Sequence, residues 1–207
     1  KTEFFFIPQI DCGCDGTEPK LKVSLYYESL CPSSINFIKQ QLYHVYAEMP
    51  EYVDLDLVPY GNAMTLRFPN GTVAFHCQHG NAECYGNIVH ACAISLLKPE
   101  VSASFIYCTT TQRRPPFAGP FCSKQLNISY TPIQNCAQSN VGLRLHDANG
   151  NRTAALVPPH EWVPWVTFNN VWNRKEADEI ETDLLSVVCK HLNGSMPNVC
   201  NEVYFVN

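Results

Sequence analysis

The spacing of hydrophobic positions changes several times along the chain, and each change marks an element. Over residues 21–27 the run Val23, Leu25, Tyr26, Tyr27 is rich in strand-favouring residues. Beyond Cys31-Pro32-Ser33-Ser34, apolar residues recur at Ile35, Ile38, Leu42 and Val45, the spacing of one helix face. Residues 52–60 alternate strictly, Val53, Leu55 and Leu57 against Asp54 and Asp56, and predict a second strand that ends at Pro59 and turns its acids to solvent. Strand, helix and strand in that order form a right-handed βαβ unit by default.

From about Gly61 the pattern breaks into short cysteine-bearing pieces. Helix-like runs cover 87–97 and 101–108, and Gly, Pro and Ser interrupt the chain through 113–123. Strand-like sequence returns at 162–168, followed by the turn dipeptide Asn169-Asn170 and an amphipathic helix over 176–191 with Ile180, Leu184, Val187 and Val188 on one side. The chain therefore reads as one elaborated α/β domain over 21–200. Its core is about 21–63 and 157–191, its insertion about 64–156 is helical and disulfide-stapled, and an N-terminal arm (1–20) and a tail (201–207) flank it.

Composition then sets the compartment. Eleven cysteines in 207 residues are too many for a reducing cytosol and read as a disulfide framework, with an odd total that leaves at least one thiol unpaired or intermolecular. Two pairs are close enough in sequence to propose, Cys108 with Cys122 and Cys189 with Cys200. Cys12 and Cys14 are one residue apart, where a mutual bridge would be strained, so each is expected to pair elsewhere, including with another chain. Four N-x-S/T sequons, at Asn70, Asn127, Asn151 and Asn193, fit the secretory route. The start at Lys1 reads as a mature chain after signal removal, with Phe4-Phe5-Phe6 buried or clinging to the surface. No apolar run is long enough to cross a bilayer, and a net charge of −5 argues against a nucleic-acid partner.

The chemistry concentrates at Cys31. Pro32 suits the first helical position, which puts Cys31 at the N-cap, where free N–H groups and the helix dipole favour a thiolate. A thioredoxin-type C-x-x-C site has this layout, except that its fourth residue here is Ser34. Ser34 can donate a hydrogen bond to the sulfur but cannot resolve a mixed disulfide. Other readings are weaker. Cys77, His79, Cys84 and Cys92 have zinc-like spacing, but in an oxidising compartment disulfides are expected and no metal or cofactor is. Ser33 and Ser34 lack a G-x-S-x-G elbow. His79 and His160 have side chains that titrate near endosomal pH when unperturbed, although such residues are commonly satisfied polar groups in turns.

Between residues 77 and 92 the sequence CQHGNAECYGNIVHAC fits C-Q-H-G-x2-E-C-x2-N-x4-C through Cys77, Gln78, His79, Gly80, Glu83, Cys84, Asn87 and Cys92. This resembles the signature of the gamma-interferon-inducible lysosomal thiol reductase (GILT) family, as do Leu57-Val58-Pro59-Tyr60-Gly61-Asn62-Ala63 and the stretch from Pro158 to Val166. The resemblance implies a thioredoxin-like fold with a helical insertion. It also implies a cis Pro164 facing the redox cysteine and the reduction of protein disulfides at acid pH in a secreted or endosomal/lysosomal lumen. Cys31 takes the place of the family's nucleophile and Ser34 that of its resolving cysteine. The reading is therefore a GILT-like glycoprotein with a degenerate C-x-x-S site that has lost efficient dithiol turnover and acts mainly as a binding or modulating protein. The alternative is a monothiol oxidoreductase that uses Cys31 and an external small thiol on disulfide-containing proteins. A third reading is a disulfide-linked oligomer through Cys12, Cys14 or Cys31.

Overall fold

The computed structural model describes residues 19–192 and 196–204. Its central strand, β1 (Leu21–Tyr27), pairs in parallel with β2 (Val53–Pro59) and antiparallel with β5 (Trp165–Phe168), so the sheet order is β2-β1-β5. The register sets Leu25 between Leu57 and Val166. Both faces of β1 are covered: its burial is nearly continuous although Lys22 and Ser24 alternate with Leu21, Val23 and Leu25. Leu21, Val23, Leu25 and Tyr27 belong to the main core, which the helices complete. On the other face Tyr26 meets Val58 and Trp165 in a smaller cluster closed by Leu156, Trp162 and Trp172.

Between β1 and β2 runs one helical rod: α1 (Pro32–Phe37), a π-helical turn (Ile38–Leu42) and α2 (Tyr43–Glu48). Ile38, Leu42 and Val45 are buried, Ile35 only partly, and Phe37 and Tyr46 are buried off that spacing. The π turn carries an extra residue and shifts the buried stripe around the rod. Gln41, inside that turn, donates to the Thr182 carbonyl at 2.8 Å and accepts from the Leu184 N–H at 3.2 Å.

The insertion opens on a hairpin of β3 (Met64–Arg67) and β4 (Val73–His76), where the sequence suggested only helices. Strands of four residues are too short for periodicity to reveal. Five helices follow: α3 (Asn81–Leu96), α4 (Pro99–Thr110), α5 (Gly119–Gln125), α6 (Thr131–Ala137) and α7 (Asn140–Ala154). α3 starts six residues before the predicted run, because its first turn has no apolar period to show it. Pro120, read as an interruption, stands in the first turn of α5, a position that tolerates proline.

The predicted helix over 176–191 is two helices, α8 (Ala177–Thr182) and α9 (Leu184–His191). Asp183 leaves the helical backbone between them and caps α9, accepting the Ser186 N–H at 3.1 Å. The final sheet strand begins only at Trp165, and Asn169 and Asn170 both have positive φ (49° and 64°) in the turn that returns Val171 to Phe168. The chain then enters α10 (Asn198–Tyr204), which reaches into the predicted tail.

Among the described residues four disulfides staple the outer layer: Cys77–Cys84 from the turn before α3 to its first turn, Cys92–Cys136 from α3 to α6, Cys108–Cys122 from α4 to α5, and Cys189–Cys200 from α9 to α10. Cys12, Cys14 and Asn193 lie outside the described residues. Asp54 is exposed as expected, but Asp56 is not simply solvated. It pairs with Arg152 and with Lys22 at 3.4 Å, and it accepts from Ser24 Oγ at 3.0 Å. Burial opposes its ionisation, but these partners hold the carboxyl below its ordinary range.

Candidate redox site

Cys31 is the free cysteine of the described residues. It stands at the N-cap of α1 with Pro32 at the first helical position, and it is partly exposed. Its Sγ lies 3.9 Å from the Val163 carbonyl oxygen, so a thiol there points at the backbone just before Pro164. The Val163–Pro164 bond is cis, as is Val157–Pro158. Ser34 is fully buried, and its Oγ accepts a long 3.4 Å bond from the Glu28 N–H. The hydroxyl thus bonds inward to the strand end instead of to the Cys31 sulfur.

The turn 28–30 delivers Cys31 from β1 to α1, and the 77–92 motif holds that turn. Asn87 Oδ1 accepts the Ser29 N–H at 2.8 Å, and the Glu83 carbonyl accepts from Ser29 Oγ at 3.1 Å. Gly86 makes the approach possible, since a Cβ there would sit 2.4 Å from Ser29 Oγ. One turn further along α3, His90 links helices to sheet. Thr109 Oγ1 donates to the Ile106 carbonyl, so it receives the His90 Nε2–H at 2.9 Å, which leaves Nδ1 to accept the Tyr27 hydroxyl at 3.0 Å. Every polar atom of that chain is satisfied with a neutral imidazole, and burial pushes the His90 pKa down to about 3.

Behind the turn lies a group of ionisable side chains. Glu28 and Glu83 are both fully buried. Glu28 Oε1 accepts the Asn62 N–H at 2.7 Å, and Glu83 Oε1 accepts the His79 N–H at 3.0 Å. His79 Nδ1 sits 2.6 Å from Glu83 Oε2 and 3.2 Å from Glu28 Oε2. Burial raises the Glu28 pKa, against the opposing effect of the Asn62 N–H, and the neighbouring Glu83 charge raises it further. Asn62 also donates through Nδ2 to Gln78 Oε1 at 2.8 Å and accepts from His160 Nε2 at 3.2 Å. Partial burial pushes the His160 pKa down.

The three sequence stretches that suggested the family thus meet at one place. Gln78, His79, Glu83, Asn62 and His160 form a polar network around the turn, and Gly80 enters α3 with φ 81°. The cysteines of the zinc-like set are not available as thiolates, because Cys77 and Cys84 bond each other and Cys92 bonds Cys136. Glu28 and Ser29 escaped the sequence reading. The signal for Glu28 was a lone carboxylate directly after the apolar end of a strand, in Leu25-Tyr26-Tyr27-Glu28. Asn70, Asn127 and Asn151 are exposed, and Asn70 Oδ1 accepts from the backbone and hydroxyl of Thr72.

Residues 22–140 match the family model described as gamma interferon inducible lysosomal thiol reductase (GILT). A gamma-interferon-inducible lysosomal thiol reductase of Mus musculus is 36% identical over 188 residues, covering 89% of this chain and 73% of that protein. One of Carassius auratus is 32% identical, covering 87% and 72%. Among solved structures, Chlamydia trachomatis DsbA superposes with a TM-score of 0.53 at 12% identity, covering 79% of this chain and 86% of that one. That likeness identifies the fold as thioredoxin-like.

Proposed function

Because the chain belongs to the gamma-interferon-inducible lysosomal thiol reductase family, we propose that its thiol chemistry runs through Cys31 and stops at a mixed disulfide. The observation that carries this reading is the buried, inward-bonded hydroxyl of Ser34 in the fourth position of the site. In a dithiol reductase the first thiolate attacks a substrate disulfide, forms a new S–S bond and releases one substrate thiolate. A second thiolate then attacks the first sulfur, which frees the rest of the substrate and leaves the enzyme oxidised. Serine forms no disulfide, so here the second step has no internal agent. The chain then works mainly by holding or modulating disulfide-containing proteins, in a secreted or endolysosomal lumen, with glycans on its exposed sequons.

A second reading is favoured by the free, partly exposed Cys31 sulfur. An external monothiol can attack Cys31 in the mixed disulfide and release the substrate thiolate. A second monothiol then restores the Cys31 thiolate, so that two small thiols become one small disulfide for each substrate disulfide reduced. The test is reduction of a fluorescent disulfide substrate at pH 5 by the intact chain, with and without glutathione. The leading reading expects no multiple turnover in either condition and a trapped covalent adduct that Cys31→Ser abolishes. Glutathione-dependent turnover lost in Cys31→Ser would establish the second. Turnover by the protein alone, from a stoichiometric charge of a dithiol, would sink both.

A further inference from the structure

Glu28, His79 and Glu83 each bring one donor atom within 4.8 Å of the others. The arrangement is built, because each carboxylate fixes itself with one oxygen and leaves the other facing the imidazole. Glu28 is anchored by Oε1 on the Asn62 N–H and Glu83 by Oε1 on the His79 N–H. Glu28 Oε2, on a fully buried side chain, has no hydrogen-bond partner and aims into the gap beside His79 Nδ1. Two buried carboxylates and one imidazole carry a net negative charge whenever both carboxyls are ionised. Burying such a charge is costly without a counter-ion.

We propose that this is a binding site for one divalent cation of the zinc type, held by Glu28 Oε2, His79 Nδ1 and Glu83 Oε2. One imidazole nitrogen with two carboxylate oxygens is a donor set such cations accept. Calcium and magnesium prefer a larger all-oxygen shell, which three protein donors and one nitrogen do not supply. The His79 ring is partly exposed, so the cation has a way in and a remaining coordination position open to water. The zinc-like spacing of the signature thus contributes a different ligand set from the one that its cysteines suggest, with His79 as the shared member. The bound cation would tie the end of β1 to the turn before α3, and it would steady the Glu28 backbone that bonds Ser34.

The experiment uses the full oxidised chain with its free thiols capped by iodoacetamide, so that no thiolate can bind metal. Zinc chloride is titrated at pH 7.5 against a chromophoric chelator, and thermal unfolding is followed with and without zinc. The expected result is one zinc per chain and a raised Tm, with affinity weakened at least about tenfold in Glu28→Gln and in His79→Ala. His79 reaches the surface, so its variant should keep the wild-type near-ultraviolet circular dichroism even if the Glu28 variant does not fold. Wild-type binding no tighter than that of His79→Ala overturns the proposal and leaves a proton as the neutralising charge. Stoichiometric binding that survives His79→Ala, or that a folded Glu28→Gln retains, overturns it too.

Discussion

At the scale of single residues, the proposed chemistry rests on two side chains, and its placement rests on two others. Cys31 and Ser34 were legible in the sequence, because a cysteine before a proline at a helix start has a physical meaning. Ser29 and Gly86 were not, since their importance lies in a contact between segments 57 residues apart in sequence. That contact can be tested. Asn87→Ala removes the acceptor of the Ser29 N–H and leaves a buried donor unpaired, at a cost of about 1–3 kcal/mol. It should lower the denaturant midpoint and change the rate at which iodoacetamide alkylates Cys31, whereas a role confined to helix stability would leave that rate alone. At the site itself, Ser34→Cys supplies, on the proposed reading, a resolving thiol in a position that serine already fills. It should convert a stalled adduct into multiple turnover with a dithiol reductant, measured with the same fluorescent substrate. If the variant folds and remains stalled, the serine is not what limits the chemistry.

At the scale of elements, legibility followed length and environment. β1 and the rod after it announced themselves by composition and period, while the β3–β4 hairpin and the α8–α9 break did not. The break depends on Asp183 as a cap and on Gln41 reaching across from the π turn, and neither is a periodic signal. Cystine pairing shows the same limit. Proximity suggested Cys108–Cys122 and Cys189–Cys200, whereas Cys92–Cys136 spans 44 residues and depends on α3 packing beside α6. Loop length also ranks the bridges energetically. In the chain-entropy account a loop of 44 residues restricts the unfolded state by about 4 kcal/mol, and the 7-residue span of Cys77–Cys84 by about 2 kcal/mol. Paired replacement of Cys92 and Cys136 by alanine should therefore lower unfolding free energy about twice as much as paired replacement of Cys77 and Cys84. Equal losses from guanidinium melts would show that native contacts, not loop closure, set the difference.

At the scale of the whole molecule, two buried histidines set a cost that the disulfides help offset. His90 is fully hydrogen-bonded as a neutral ring, and burial pushes its pKa down to about 3. His146 packs between Tyr60 and Phe75, and burial pushes its pKa down to about 4 against the opposing effect of the Pro59 carbonyl. The unfolded chain binds a proton at each near pH 6.5, so between about 6.5 and these folded values it holds more protons than the native state. Stability therefore falls as pH drops from 6.5, by about 2 kcal/mol per histidine at pH 5. For a chain whose family is named for the lysosome, that is a large share of an ordinary stability of about 5–15 kcal/mol. Four bridges that restrict the unfolded state, three of them in the helical layer around these rings, act against the loss at every pH because none of them titrates. His146→Phe keeps an aromatic ring between Tyr60 and Phe75 and removes one of the two protonation sites. The difference in unfolding free energy between pH 7 and pH 5, taken from urea melts with the disulfides intact, should shrink by about 2 kcal/mol in that variant. An unchanged difference would mean that the acid sensitivity resides elsewhere in the fold, with His90 the next residue to replace.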